Sequence, residues 1–177
     1  RLLAPGGVAI VDPAMADNGK LYSGFDEDYV RAIGSLAGKA DIILPNVTEA
    51  AILSGLPYQE NIDRNYVNQL LNGLNHPCAV LTGVDFDEDS TGIVLQEGTV
   101  QHEYRHKRIG NGCHGTGDIF AAVFTGALMQ GKNRLDAAKI AADFTCRCIE
   151  NTVNAPAHWY GVKFEPLLPE LMEMLGQ

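Results

Sequence analysis

The chain has 177 residues, enough for one domain with a sizeable core, and its formal net charge of −9 has the wrong sign for a nucleic-acid or anionic-membrane surface. Its 13 basic residues cluster no further than Arg105-His106-Lys107-Arg108, no run is long and apolar enough to span a bilayer, and no signal-peptide pattern opens it. The 4 cysteines (Cys78, Cys113, Cys146, Cys148) lack C-x-x-C spacing, which points to reduced thiols and a cytoplasmic protein.

The chain opens on Arg1, and a core-like strand at Val8–Val11 comes almost at once, so an N-terminal portion is expected to be missing. Val8 to Asp12 is a short apolar run of the kind buried on both faces of a parallel sheet. Asp26 to Ala37 reads as a helix, with Tyr29, Val30, Ile33 and Leu36 at helical spacing. Asp41 to Leu44 is a second buried strand stopped by Pro45, Asn46 to Ser54 a helix ended by Gly55, and Asp63 caps a helix running to about Leu74. Pro77 to Thr82 is a third apolar strand. Thr91 to Gln96 and Thr99 to Ile109, parted by Glu97-Gly98, then predict an antiparallel hairpin. The remainder is helical: Gly117 to Gln130, Asn133 to about Asn151, and a last helix near Glu165 to Leu175. No repeat or linker interrupts the pattern, which predicts a single α/β domain over 1–177 with a mostly parallel central sheet.

Two motif matches fail on their context. His102-Glu103-Tyr104-Arg105-His106 spells H-E-x-x-H, but that zinc chemistry needs both histidines one helical turn apart. In an alternating strand they would lie about 13 Å apart at about 3.3 Å per residue, too far for metal–nitrogen bonds of about 2 Å. Gly110-Asn111-Gly112-Cys113-His114-Gly115 matches G-x-G-x-x-G, yet the chain beyond it is helix upon helix rather than the βαβ unit of a dinucleotide fold. The phosphate-binding mechanics survive; the nicotinamide cofactor does not.

Chemistry gathers where strands end. Gly115-Thr116-Gly117-Asp118 enters an apolar helical run, so its amides and the positive helix end favour an anion there. A carboxylate beside an anion cannot serve to bind it, but it can take a proton from a hydroxyl that attacks a phosphoryl group. A first-turn acid favoured by the helix dipole alone is the plainer reading of Asp118. Asp12 and Asp17, five residues apart on the loop after the first strand, suit a hydrated Mg²⁺ or are two solvated loop acids. Asn46 and Glu49 have the spacing of a capping box, unless Glu49 instead meets a metal-bound water near a triphosphate. Thr82-Gly83 closes the third strand with a hydroxyl and an unencumbered backbone to which phosphates can come close. His114 either touches a phosphate or packs in the turn.

At these residues the chain resembles the ribokinase-like superfamily, most closely its pyridoxal/pyridoxamine (vitamin B6) kinase branch. Asp12 to Tyr22 is similar to that branch's DPVMGDNGKLY-type segment, Pro45 to Ala50 to its PNxxEA element, Gly115 to Asp118 to its GTGD turn, and Tyr160 to Glu165 to its tail. The resemblance implies a three-layer α/β/α fold and ATP-dependent phosphorylation of the 5′-hydroxymethyl of pyridoxal, pyridoxine or pyridoxamine. It implies Asp118 as general base and Gly115, Thr116 and Gly117 as the anion hole. Asp17 and Glu49 would hold Mg²⁺ directly or through water, with Asp12 and Thr82 near the phosphates and a monovalent cation such as K⁺. Asn46 and Tyr22 would line the nucleotide side, with Thr82 and Gly83 beside it, and the enzyme would be a homodimer. Asn111 to Gly117 also resembles the hydroxymethylpyrimidine kinases, which commonly carry Cys where this chain has Asp118. A sugar kinase and a non-catalytic nucleotide-binding fragment stay open beside these two.

Overall fold

Asp26, Asn46, Asp63 and Asn133 each stand immediately before a helix, and each side chain accepts a hydrogen bond from the backbone N–H three residues on. These caps satisfy donors that have no partner within the helix, and they set four helix starts where the sequence places them. In the computed structural model, which describes residues 3–110, 113–155 and 160–176, the chain begins with β1 (Ile10–Val11), β2 (Ala16–Asp17), β3 (Lys20–Leu21), α1 (Glu27–Ala37) and β4 (Ile42–Ile43). It continues through α2 (Val47–Ser54), α3 (Arg64–Leu74), β5 (Cys78–Asp85), β6 (Ser90–Glu97) and β7 (Val100–Lys107). It ends with α4 (Thr116–Met129), α5 (Arg134–Val153), a 3-10 turn at Glu165–Leu167 and α6 (Leu168–Leu175).

The main sheet has the order β1-β4-β5-β6-β7. Its first three strands are parallel, and β6 continues the sheet antiparallel to β5, as the change of pattern after Thr82 predicts. The chain packs as two compact units: residues 1–87 with 91–103, and residues 88–90 with 104–177. In the first, Tyr66, Val67, Leu70 and Leu71 of α3 are buried with Ala79, Leu81 and Val94 of the sheet. The Tyr66 hydroxyl reaches the Pro57 carbonyl at 2.8 Å, so this large core side chain leaves no orphaned polar tip. In the second, α4 runs along α5, and the buried Ala137, Ala138, Ala141 and Ala142 keep α5 slim enough for close approach by its neighbours.

Three differences from the sequence reading have local causes. The loop after β1 is not plain coil, because β2 and β3 pair as a hairpin across Asn18-Gly19. Both turn residues are left-handed (φ 50 and 74), the conformation of a two-residue hairpin turn, and Asn-Gly is its usual sequence. The third strand does not stop at Thr82. It runs on to Asp85 because β6 pairs along it, and the register slips at Gly83, a left-handed bulge residue with φ 66. The last helix starts as a 3-10 turn because Pro169 has no N–H with which to close an α-type bond onto Glu165. The strand containing H-E-x-x-H is a strand: His102, Tyr104 and His106 alternate with exposed Gln101, Glu103, Arg105 and Lys107.

Gly19 has a second constraint besides its φ. A Cβ there would come to 2.7 Å from Tyr58 Cδ1. Gly19→Ala is therefore expected to destabilise the first unit by more than the roughly 1–2 kcal/mol of a left-handed alanine alone, read as a lowered denaturant midpoint. An unchanged midpoint would mean that Tyr58 does not close over this turn.

Candidate active site

In the first unit the buried carboxylate of Glu49 organises the loops that leave β1 and β4. It sits at the third position of α2, and its Oε2 accepts from Asn46 N at 2.9 Å while Asn46 Oδ1 accepts from Glu49 N at 2.9 Å, a complete capping box. Its other oxygen reaches outward across the sequence. Oε1 accepts from Met15 N at 2.8 Å and from Ala16 N at 3.4 Å, so the same side chain holds the loop that carries Asp12 and Asp17. Asn46 contributes too, its Nδ2 donating to Ala16 O at 2.8 Å. Asn46 also bridges to Thr82 of β5, whose N–H donates to Pro45 O at 2.9 Å.

Asp12, Asn46, Glu49 and Thr82 are thereby gathered where the parallel pairing of β1, β4 and β5 ends, the side on which ligands of open α/β sheets bind. Burial pushes the Glu49 carboxyl up to about 7, and the Asp12 carboxylate adds to the rise, while amide donation from Asn46, Met15 and Ala16 pulls it down. Asp12 itself accepts from Ala14 N at 3.3 Å, across an alanine held at φ 35. A positive φ at a non-glycine residue costs energy, and here it is held between Asp12 and the anchored Met15.

Asp17 and Tyr22 are placed differently. Both Asp17 oxygens are engaged by Asn18, from N at 2.9 Å and from Nδ2 at 3.0 Å, in the exposed turn of the hairpin. Tyr22 is 46% exposed beside Phe25, and its N–H donates to Met15 O. Gly83 has open space where a side chain would be. Among the described residues no three His, Cys, Asp or Glu side chains converge on one point suited to a metal. The donor set fits a cation such as Mg²⁺ that takes one or two carboxylates and completes its shell with water and substrate phosphate. Asp12 and the charge-averse Glu49 are the pair that would gain from it.

The second unit carries the glycine turn. Gly115 is left-handed (φ 87) at the start of α4, and unlike the four helices with Asp or Asn caps, α4 has no side-chain cap. The first helical bond is Ile119 N to Gly115 O at 3.1 Å, so the N–H groups of Thr116, Gly117 and Asp118 precede the ladder. Gly117 and Asp118 are exposed. Asn111 and Gly112, which complete the glycine-rich motif, lie outside the described residues.

Three contributors escaped the sequence reading. Thr48, 3% exposed, accepts from Gly19 N through Oγ1 at 3.0 Å and ties the hairpin turn to α2. Met15, fully buried, anchors the loop from below, and Tyr58 covers Gly19. The Asn18-Gly19 dipeptide was the one signal that could have exposed this hairpin.

The fold, with its parallel strands ending in polar loops and a glycine turn into α4, is shared with solved kinases of the ribokinase-like class. Residues 4–162 match the family model described as phosphomethylpyrimidine kinase, and the chain belongs to that family. The hydroxymethylpyrimidine/phosphomethylpyrimidine kinase of Bacillus subtilis is 30% identical over 146 residues, covering 81% of this chain and 54% of that protein. The crystal structure of pyridoxal kinase from Lactobacillus plantarum superposes with a TM-score of 0.80 at 33% identity, covering 93% of this chain and 61% of that one. A putative phosphomethylpyrimidine kinase from Bacteroides thetaiotaomicron, in a crystal form with pyridoxal, gives 0.80 at 28% identity, covering 98% and 62%. The chain thus spans little more than half the length of these relatives.

Proposed function

We propose that this chain forms the nucleotide-binding and phosphoryl-transfer part of an ATP-dependent kinase acting on a hydroxymethyl group of a six-membered nitrogen heteroaromatic ring. The observation that carries the reading is the uncapped, left-handed entry to α4 with a carboxylate in its first turn, in a chain of this family. Asp118 accepts the proton of the substrate hydroxyl as its oxygen bonds to the γ-phosphorus. The bond to the β,γ-bridging oxygen breaks, and ADP leaves. The amides of Gly115, Thr116 and Gly117 face the equatorial oxygens, where preorganised donors stabilise charge at no reorganisation cost. Asp12 and Glu49 would hold Mg²⁺, which when bound would supply positive charge against the phosphates, while Asn46, Thr82, Gly83 and Tyr22 would line the nucleotide side. Asp17, whose two oxygens are engaged by Asn18, would add negative charge to this end of the site rather than a direct ligand.

Two substrates compete for the acceptor position. The segment Asp12 to Tyr22 and the pyridoxal kinase likeness favour the 5′-hydroxymethyl of pyridoxal, whereas the family model and the Bacillus subtilis relative favour hydroxymethylpyrimidine. A panel of pyridoxal, pyridoxine, pyridoxamine, hydroxymethylpyrimidine and ribose with ATP and Mg²⁺ decides between them. Phosphorylation of at least one ring hydroxymethyl, with ribose inert, is expected. ATP binding without turnover of any acceptor would leave a nucleotide-binding module and overturn the kinase reading.

A further inference from the structure

The glycine turn is only as well placed as the surface it rests on, and that surface is built from the end of α5 and the segment Tyr160–Lys163. Thr152 Oγ1 donates to Cys148 O at 2.7 Å and accepts from Lys163 N at 2.8 Å. The neighbouring Asn151 Nδ2 donates to Lys163 O at 2.9 Å. Two consecutive side chains of α5 therefore hold both backbone polar groups of one residue, which fixes where the segment crosses the helix end.

This anchored segment touches the phosphate turn. Val162 is buried, and a Cβ placed on Gly115 would lie 3.8 Å from Val162 Cγ1. Gly161, left-handed at φ 68, would bring a Cβ to 3.8 Å from His114 O. The other stem of the same loop meets α5 directly, since a Cβ on Gly110 would come to 3.4 Å from Val153 Cγ2. Both stems of the loop thus lie against the last turn of α5 or the strap fastened to it.

We propose that Thr152 and Asn151 are positioning residues, which act through Lys163 and Val162 to set the Gly115–Asp118 turn where its amides can grip the transferred phosphoryl group. The proposal rests on the reading of that turn as the phosphoryl-transfer site. Thr152 serves because its hydroxyl both donates and accepts; valine has the same shape and can do neither. A displacement of about 1 Å in a group of this kind can cost on the order of 100-fold in rate.

The test compares wild type with Thr152→Val, Thr152→Ser and Asn151→Ala by two readouts: amide ¹⁵N–¹H spectra of Gly115 and Gly117, and steady-state kinetics with ATP and the active acceptor of the panel. Thr152→Val should shift or broaden both glycine amides and lower kcat by about 10–100-fold with the acceptor KM little changed. Thr152→Ser should restore spectrum and rate, and Asn151→Ala should give a smaller effect in the same direction. Glycine amides unmoved in folded Thr152→Val overturn the proposal, as does a normal kcat. If Thr152→Val does not fold, Asn151→Ala decides by the same spectra. Shifted amides in a protein that phosphorylates nothing would uphold the positioning role while removing the kinase reading.

Discussion

Asp118→Asn is expected to lower turnover by about 10²–10⁴ and to leave ATP affinity unchanged, because general-base assistance is worth about that much. The asymmetry is the informative part. A carboxylate near a polyphosphate contributes no binding energy and opposes it slightly, so its neutral isostere should bind nucleotide at least as well. Asn retains the size of Asp and the helix start, where Asp118 occupies the first turn without serving as cap. Rate and nucleotide dissociation constant, measured on the same preparation, separate the two roles. A mutant with near-normal kcat would remove Asp118 from proton transfer and leave it as a dipole-favoured acid.

Glu49→Ala is expected to be the most destabilising substitution at the site. It strands the amides of Met15, Ala16 and Asn46, of which the first two are buried, and an unsatisfied buried donor costs about 1–3 kcal/mol. A loss of at least about 3 kcal/mol is expected, with Glu49→Gln losing less because one oxygen acceptor remains. The pH dependence has a defined sign. The folded carboxyl titrates at about 7 and the free one at 4.5, so between these values the folded state holds a proton that the unfolded state has released. Stability from this group is therefore complete below 4.5 and declines as pH rises through about 7. The loss amounts to roughly 3 kcal/mol at about 1.4 kcal/mol per unit. Urea midpoints without divalent cation should fall from pH 5 to 8 in wild type and be flatter in Glu49→Gln. Added Mg²⁺ should shrink the decline, by drawing the folded pKa down toward 4.5, if Glu49 and Asp12 face the ion. A wild-type profile identical to that of Glu49→Gln would mean the carboxyl is not held protonated.

Legibility in the sequence tracked the range of the interaction concerned. Asp26, Asn46, Asp63 and Asn133 announced their helices because a cap and its recipient amide are three residues apart. The strand reading of H-E-x-x-H also held, since the alternation from Gln101 to Lys107 is a property of the strand itself. The β2–β3 hairpin was overlooked for the opposite reason: strands of two residues have no periodicity to read, and only Asn18-Gly19 marked them. The end of β5 was misplaced because its continuation depends on β6, which supplies the partner.

Glu49 marks where such reading stops. Its capping role was local and visible, but its bonds to Met15 and Ala16 span 34 and 33 residues, and no spacing rule connects them. Its raised pKa likewise comes from burial beneath a loop whose path is set elsewhere. The sequence by itself determined the order of the main-sheet strands and the helices, the glycine turn and the chemical types of the candidate residues, since caps, periodicity and turn chemistry act within a few positions. Tertiary structure alone decided that Glu49 would pin the Asp12 loop, that Asp17 would turn onto Asn18, and that Thr152 would fasten the strap beneath Gly115. Desolvation and long-range hydrogen bonds depend on which distant segments are stacked together, and that is settled only when the chain has packed.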